Sequence, residues 1–394
     1  MRRLERDGGD PLRITYLSAA TLPSPSAYSI HVMKMCQALA AHGHLVTLHG
    51  RRGTPDVANL HAHYGSAPSF DVVRLRHPPL GALAKLLYVL RVASRVRRAR
   101  ADLVYARHAY SLAACATFGS PLLLEVHEPP IDALEARCVR RLVRSARLLC
   151  VVAVSDALRA EYERLFPGLD GRILVAHDAA DALGPGAERP APLQGRSPGR
   201  TSVGYVGQLY RGKGVEMVVN LARRLPDMDF HVVGGAPRDL ARWRGVSKTD
   251  NLTFHGFVAP GELPAWYAAF DLLVAPYEQR VEVDGRPRDV SGWMSPLKLF
   301  EYMSAGRAIV CSDLPVLREI LEPGVDAVLV PPGEIDAWAR ALQRLAADPD
   351  ARRALATRAH RKWQSTYTWH ERARRILDEV ARRRGVSAGS GTSP

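Results

Sequence analysis

Short apolar runs recur along this chain, most of them separated by a helical pattern. RITYLSA, LVTLHG, VVRLR, DLVYAR, LLLEVH and LLCVVAVS fill the first half. Each is bounded by turn residues and short, as strands buried on both faces are. Helical stretches such as IHVMKMCQALAAHG, closed by Gly43, lie between them. This alternation implies a parallel sheet with helices on both faces. A stretch rich in Pro, Gly and Ala follows, ALGPGAERPAPLQGRSPGR (182–200), and reads as a linker. The pattern then restarts with SVGYVG, DFHVVGG, LTFHGFV, DLLVAPY, AIVCSD and AVLVPP. The expected fold is α/β, with two doubly wound, Rossmann-like domains over 1–183 and 200–365. TYTWHERARRILDEVARRR reads as an amphipathic last helix within 366–394, and the tail GVSAGSGTSP as disordered by composition.

Composition narrows the class. With 394 residues, 47% hydrophobic and 24% charged, the chain is globular and long enough for two cores. No apolar run approaches membrane-spanning length, and MRRLERDGGD lacks a signal peptide's apolar core, so a cytoplasmic location is expected. Cys36, Cys115, Cys138, Cys150 and Cys311 are scattered without CxxC spacing, which points to reduced thiols and away from a metal or disulfide framework. The net charge is +14, and only six of the 54 basic residues are lysine. Arginine concentrates in RVASRVRRARAD (91–102) and EARCVRRLVRSAR (135–147). Those helices suit an anionic membrane surface at the inner face of the membrane, or an acidic acceptor; a solvated basic face is the plainer reading. Nucleic acid is not expected as a partner, because no recognition motif accompanies the charge.

The segment WMSPLKLFEYMSAGRAIVCSDLPVLREILE (293–322) reads as helix, strand, helix. Ser295 is placed as N-cap and Pro296 at the first helical position. Leu297, Leu299, Phe300 and Met303 give an apolar face, and Gly306 closes the helix. Lys298 beside a helix N-terminus favours an anion, and Glu301 can accept from hydroxyls. Together they suit a sugar nucleotide, although an ordinary i,i+3 salt bridge fits the spacing too. GQLYRGKG nearly completes a P-loop but has Gly214 where a magnesium-binding hydroxyl belongs. His127 ends the run LLLEVH, where open α/β sheets bind ligands; a structural histidine is the competing reading, and HEPPI is not a zinc motif. Asp227-Met228-Asp229 precedes a strand and reads as turn and strand entry. EQRVEVDGRPRDVSG (278–292) reads as a mobile loop.

PLKLFEYMSAGRAIVCSDLPVLREIL resembles the nucleotide-sugar-binding segment of family 4 glycosyltransferases, retaining enzymes of the GT-B fold. The resemblance is strongest from Ser202 to Leu321 and implies two domains facing across a cleft, the first binding acceptor and the second donor. It places Lys213 on the donor diphosphate, with Gly207, Gln208 and Arg211 beside it. It places Phe257 and Val258 at the nucleobase, Ser295, Pro296, Leu297 and Lys298 around the phosphates, and Glu301 on the ribose. His127 falls beside the donor sugar, and Ser26, Ala27 and Tyr28 form the acceptor-side loop. His127, Lys213 and Glu301 are then the catalytic candidates. The chain departs from the family pattern at Trp293, where a first glutamate is usual, and at Gln208, where arginine is usual. Asp178 and Ala179 replace an asparagine-glycine pair. The implied activity is retaining transfer of a hexosyl or N-acetylhexosaminyl group in a bacterial cytoplasm. The donor is a nucleoside-diphosphate sugar, UDP favoured over GDP. The acceptor is a hydroxyl on a glycan, a lipid-linked or a small molecule, and neither metal nor cofactor is needed. A sugar-nucleotide binding protein without catalysis, a GT-B-fold epimerase and a P-loop nucleotide hydrolase remain open as alternatives.

Overall fold

The computed structural model describes residues 10–53, 57–76, 81–183, 188–247, 249–283 and 286–389. The chain forms two units, one of residues 1–177 with 369–394, the other of residues 178–368.

The first unit runs β1 (Arg13–Leu22), α1 (Ala27–Ala41), β2 (Leu45–Arg52), α2 (Leu60–Tyr64), β3 (Asp71–Leu75), α3 (Gly81–Ala99), β4 (Leu103–Ala106), α4 (Ala109–Cys115), β5 (Leu122–Val126), α5 (Ala133–Val143), β6 (Leu148–Ala153), α6 (Asp156–Leu165) and β7 (Ile173–Val175). Its seven strands lie in the order β3-β2-β1-β4-β5-β6-β7, and every pairing is parallel. β4 and β5 are buried at every position, which is why they read as continuous apolar runs. Ser26, Asp132 and Ser155 cap α1, α5 and α6 by accepting from backbone amides.

The second unit runs β8 (Thr201–Val206), α7 (Val215–Arg224), β9 (Met228–Val233), α8 (Pro237–Val246), β10 (Leu252–Gly256), α9 (Leu263–Ala269), β11 (Leu272–Ala275), β12 (Glu282–Val283), β13 (Arg286–Asp289), α10 (Leu297–Ser304), β14 (Ala308–Ser312), β15 (Val328–Val330), α11 (Ile335–Ala347) and α12 (Pro349–Thr366). Six strands form a parallel sheet in the order β10-β9-β8-β11-β14-β15. Its core joins Val203, Phe230, Val232, Leu272 and Val310 of the strands to Val218 of α7 and Trp338 of α11. α13 (Trp369–Gly389) then packs on α1 and β6, returning the chain to the first unit.

Several local expectations need correction. Ser295 is not an N-cap: α10 starts one residue later, with Pro296 at the cap, and the Ser295 hydroxyl accepts from the Asp178 amide at 2.8 Å. LPVLREIL is no α-helix. It makes a 3-10 turn over Pro315–Glu319, with Arg318 paired to Asp313 at 2.6 Å. The polar loop 278–292 contains the antiparallel hairpin β12-β13, steadied where Asp289 accepts from the Val281 and Ser291 amides. The linker's described part, 188–200, is held by the second unit: Ala191 N–H donates to Ala265 and Ser197 N–H to the Asp229 carboxylate. Asp229 is therefore structural. The tail is helical as far as Gly389, and 390–394 lie outside the described residues.

Candidate functional site

In the second unit the strand order reverses between β8 and β11, so the loops leaving them diverge and open a crevice at the strands' carboxyl ends. Three chemical groups meet there. The loop after β8 carries Lys213, the residues after β11 carry Tyr277, and α10 brings Lys298. Lys213 Nζ lies 5.4 Å from the centre of the Tyr277 ring, and Lys298 Nζ lies 5.3 Å from it. Lys298 Nζ also sits 3.9 Å from the centre of the Tyr205 ring.

Two glycines make this approach possible. Gly214, the N-cap of α7, has φ +83°, and a Cβ there would overlap the Pro276 carbonyl oxygen. Gly207 has φ +147°, and a Cβ would sit 2.9 Å from Lys298 Nζ. Lys298 thus brings its Nζ directly against Gly207 at the end of β8. Lys298 is only 9% exposed, and its Nζ has no hydrogen-bond partner among the described residues. Burial, and then the Lys213 charge, hold its pKa well below the usual lysine value. An ammonium so placed is costly unless an anion joins it. The two aromatic faces offset part of that cost.

The remaining donor-side candidates surround this crevice unequally. Glu301, one turn along α10, accepts from the buried Tyr267 hydroxyl at 2.7 Å, which orients its carboxylate. Leu297 is the buried first residue of α10. Gln208 offers its carbonyl to the Tyr205 hydroxyl at 2.6 Å. Arg211 is exposed and lines a cleft of about 770 Å³ with Glu278, Arg280, Glu282 and Asp289. The second positive charge beside Lys213 is therefore Lys298. Phe257, 48% exposed, and the half-buried Val258 follow β10. Trp293 is half-buried in the turn before α10, its N–H donating to the Val290 carbonyl.

In the first unit His127 follows β5, and its Nε2 lies 2.8 Å from Glu125 Oε1. Glu125 is 2% exposed. The same oxygen is 2.8 Å from His31 Nε2 and accepts from Arg372 Nη2 of α13 at 2.8 Å. Its other oxygen accepts from the hydroxyls of Tyr105 at 2.5 Å and Tyr16 at 3.2 Å. Burial alone would raise the Glu125 pKa, but Arg372 and His31 outweigh it and hold the carboxyl well below the usual range. Ser26 caps α1, while Ala27 and Tyr28 belong to its first turn and not to a loop. The Tyr28 hydroxyl accepts from Ala19 N–H at 2.9 Å and donates to the Arg107 carbonyl at 3.0 Å, which makes Tyr28 a brace across the β1 and β4 ends.

Sequence reasoning missed Glu125, His31, Arg372, Tyr267 and Tyr277. Glu125 had a signal, being the one charge inside LLLEV. The others become neighbours only through the fold.

Two parallel, doubly wound units define the GT-B class of glycosyltransferases, and solved structures share the architecture. Sucrose-phosphate synthase from Thermosynechococcus elongatus matches with a TM-score of 0.74 at 20% identity, over 95% of this chain and 100% of that one. Anabaena HepE in complex with UDP matches with a TM-score of 0.70 at 17% identity, over 94% and 100%. Residues 29–182 match the family model described as Glycosyltransferase Family 4, and residues 200–348 the model described as Glycosyl transferases group 1. The chain belongs to the family 4 glycosyltransferases. An alpha-D-kanosaminyltransferase of Streptomyces kanamyceticus is 28% identical over 71% of this chain and 78% of its own length. A D-inositol 3-phosphate glycosyltransferase of Corynebacterium urealyticum is 27% identical over 61% and 58%.

Proposed function

We propose that this glycosyltransferase moves a hexosyl or N-acetylhexosaminyl group from a nucleoside-diphosphate sugar to an acceptor hydroxyl, with retention of configuration. The observation that carries the reading is the buried Lys298 side chain, whose Nζ has no hydrogen-bond partner among the described residues and lies near the same tyrosine ring as Lys213. Cleavage of the sugar–phosphate bond shifts negative charge onto the diphosphate. Two fixed ammonium groups stabilise that charge most where it is greatest, in the transition state. They supply the neutralisation that a divalent ion would otherwise give, which supports a metal-independent transfer. Glu301, oriented by Tyr267, suits the ribose hydroxyls, and Phe257 and Val258 suit the base. UDP is the preferred carrier; HepE, a structural neighbour, has been solved with UDP and with UDP-glucose.

We assign the acceptor to an anionic membrane surface, as a lipid-linked hydroxyl. No helix among the described residues is long and apolar enough to cross a membrane. The support is an exposed face of the first unit. Leu83, Leu86 and Leu90 of α3 are 54, 53 and 55% exposed, and the same helix ends in the exposed Arg91, Arg95, Arg97 and Arg98. Ile131 and Leu134, 46 and 59% exposed, precede the exposed Arg141 and Arg144. α4 packs between α3 and α5, and its Tyr110 hydroxyl donates to Asp132, the α5 N-cap. Exposed leucines next to arginines suit insertion at an anionic headgroup layer.

The test is incubation with UDP-, GDP- and ADP-sugars and a panel of lipid-linked and soluble acceptors, with products resolved by mass spectrometry and their anomeric configuration by NMR. A glycosylated acceptor with retained configuration is expected. Nucleotide binding with no transfer to any acceptor would favour the non-catalytic reading that Trp293 motivates. Sugar isomerisation without an acceptor would favour the epimerase.

A further inference from the structure

Glu125 is a buried carboxylate in the middle of a parallel sheet, a position that core packing alone does not call for. Burying an ionised carboxylate costs several kcal/mol unless donors compensate it. Compensation here is generous: the Arg372 guanidinium, two tyrosine hydroxyls and two imidazoles surround a group with about four lone-pair sites. A purely structural anchor between α13 and β5 needs only Arg372 and the tyrosines. The imidazoles are what that account leaves over.

The network also has a direction. The side chains of Glu125, His31 and Arg372 are 0, 1 and 2% exposed, whereas His127 is 14% exposed. The chain of contacts therefore starts in the core and surfaces at one imidazole, at the carboxyl end of β5. Arg372 is itself fixed: its Nε donates to the His177 carbonyl at 2.9 Å and its Nη2 to the Ala176 carbonyl at 3.2 Å. An anion pinned from behind in this way can orient whatever it holds in front.

We propose that Glu125 is a positioning residue that acts through His127. By accepting a hydrogen bond from Nε2–H it fixes the ring plane and selects the tautomer whose Nδ1 carries no proton. Arg372, carried by the last helix, keeps Glu125 ionised and in place. The inference rests on the assignment of His127 to the donor sugar.

The experiment is a double-mutant cycle on Glu125→Gln and His127→Ala, read as turnover and KM for nucleotide release from UDP-glucose and GDP-mannose. If Glu125 works through His127, each single variant loses on the order of 100-fold in turnover with little change in donor KM. The double variant is then no worse than His127→Ala alone. Multiplying losses, or a Glu125→Gln protein with normal turnover, would overturn the proposal and leave His127's role intact. Normal turnover in His127→Ala would instead overturn the His127 assignment. Should Glu125→Gln fail to fold, ¹⁵N NMR of the wild-type imidazoles decides. A His127 ring protonated at Nε2 across neutral pH supports the proposal, and one protonated at Nδ1 contradicts it.

Discussion

Lys298 is costly for the fold and, under the proposed function, needed by the diphosphate site. Its charged form is disfavoured by burial and by Lys213. The unfolded chain therefore binds a proton that the folded chain resists. Stability from this residue accordingly rises with pH, from the depressed folded pKa up to the ordinary lysine value near 10.4. Replacing it by methionine keeps the stem's packing and removes the penalty. Lys298→Met is expected to raise the stability of the empty protein by on the order of 1 kcal/mol near neutral pH. The same change should weaken UDP binding at least tenfold. Thermal melts with and without UDP check both halves, and a variant that melts lower when empty would contradict the first. The sequence suggested Lys298 as an anion ligand through its place at a helix start. It could not announce the tyrosine pair around it, since Tyr205 and Tyr277 are contributed by β8 and by the residue pair following β11.

At the scale of elements, strands buried on both faces were legible because burial leaves only apolar residues usable. That holds for LLVA, for AIVC before the buried Ser312, and for LLLEV apart from Glu125. Helix α10 was legible from its apolar spacing and from Gly306, which takes φ +59° after the last turn. Its exact start was not, because the Ser295 hydroxyl is claimed by the distant Asp178 amide. The β12-β13 hairpin was hidden too: at its open end Asp289 reaches back to accept from the Val281 amide. Gly214 belongs to the legible part, as the last residue of a loop opening a helix. Its φ of +83° and the Pro276 oxygen leave no room for a side chain. Gly214→Ala is expected to cost about 1–3 kcal/mol in urea unfolding and to displace Lys213. Gly245, in α8 with open space around it, is the control. Gly245→Ala should stabilise by about 0.5–1 kcal/mol. Equal effects of the two would refute the close approach at Gly214.

For the whole molecule, two alternating halves sufficed to read two parallel sheets, and the recurring resemblance sufficed for the family. The net charge of +14 was legible, its purpose was not. The structure adds the outward leucines of α3 to the arginines, a pattern that periodicity alone assigns to a core-facing stripe. Reversing Arg95, Arg98, Arg141 and Arg144 to glutamate is expected to abolish sedimentation with vesicles of anionic phospholipid. Leu83, Leu86 and Leu90 changed to serine should weaken it, and salt should weaken the wild type. Absence of wild-type binding at low salt would remove the membrane from the account.

The proposed diphosphate site is formed by Lys213 and Lys298 together. It is tested most directly by calorimetric titration of UDP, with GDP and ADP alongside, into wild type, Lys213→Ala and Lys298→Met. Titration in two buffers of different ionisation enthalpy reports protons taken up. Because burial and Lys213 lower the Lys298 pKa and a bound diphosphate favours the ammonium, wild type should take up protons on binding once the pH is raised above the lowered value. Lys298→Met should lose that uptake, and both variants should bind at least tenfold more weakly. Wild-type affinity in both variants, with no buffer dependence in any of the three proteins, would contradict the claim.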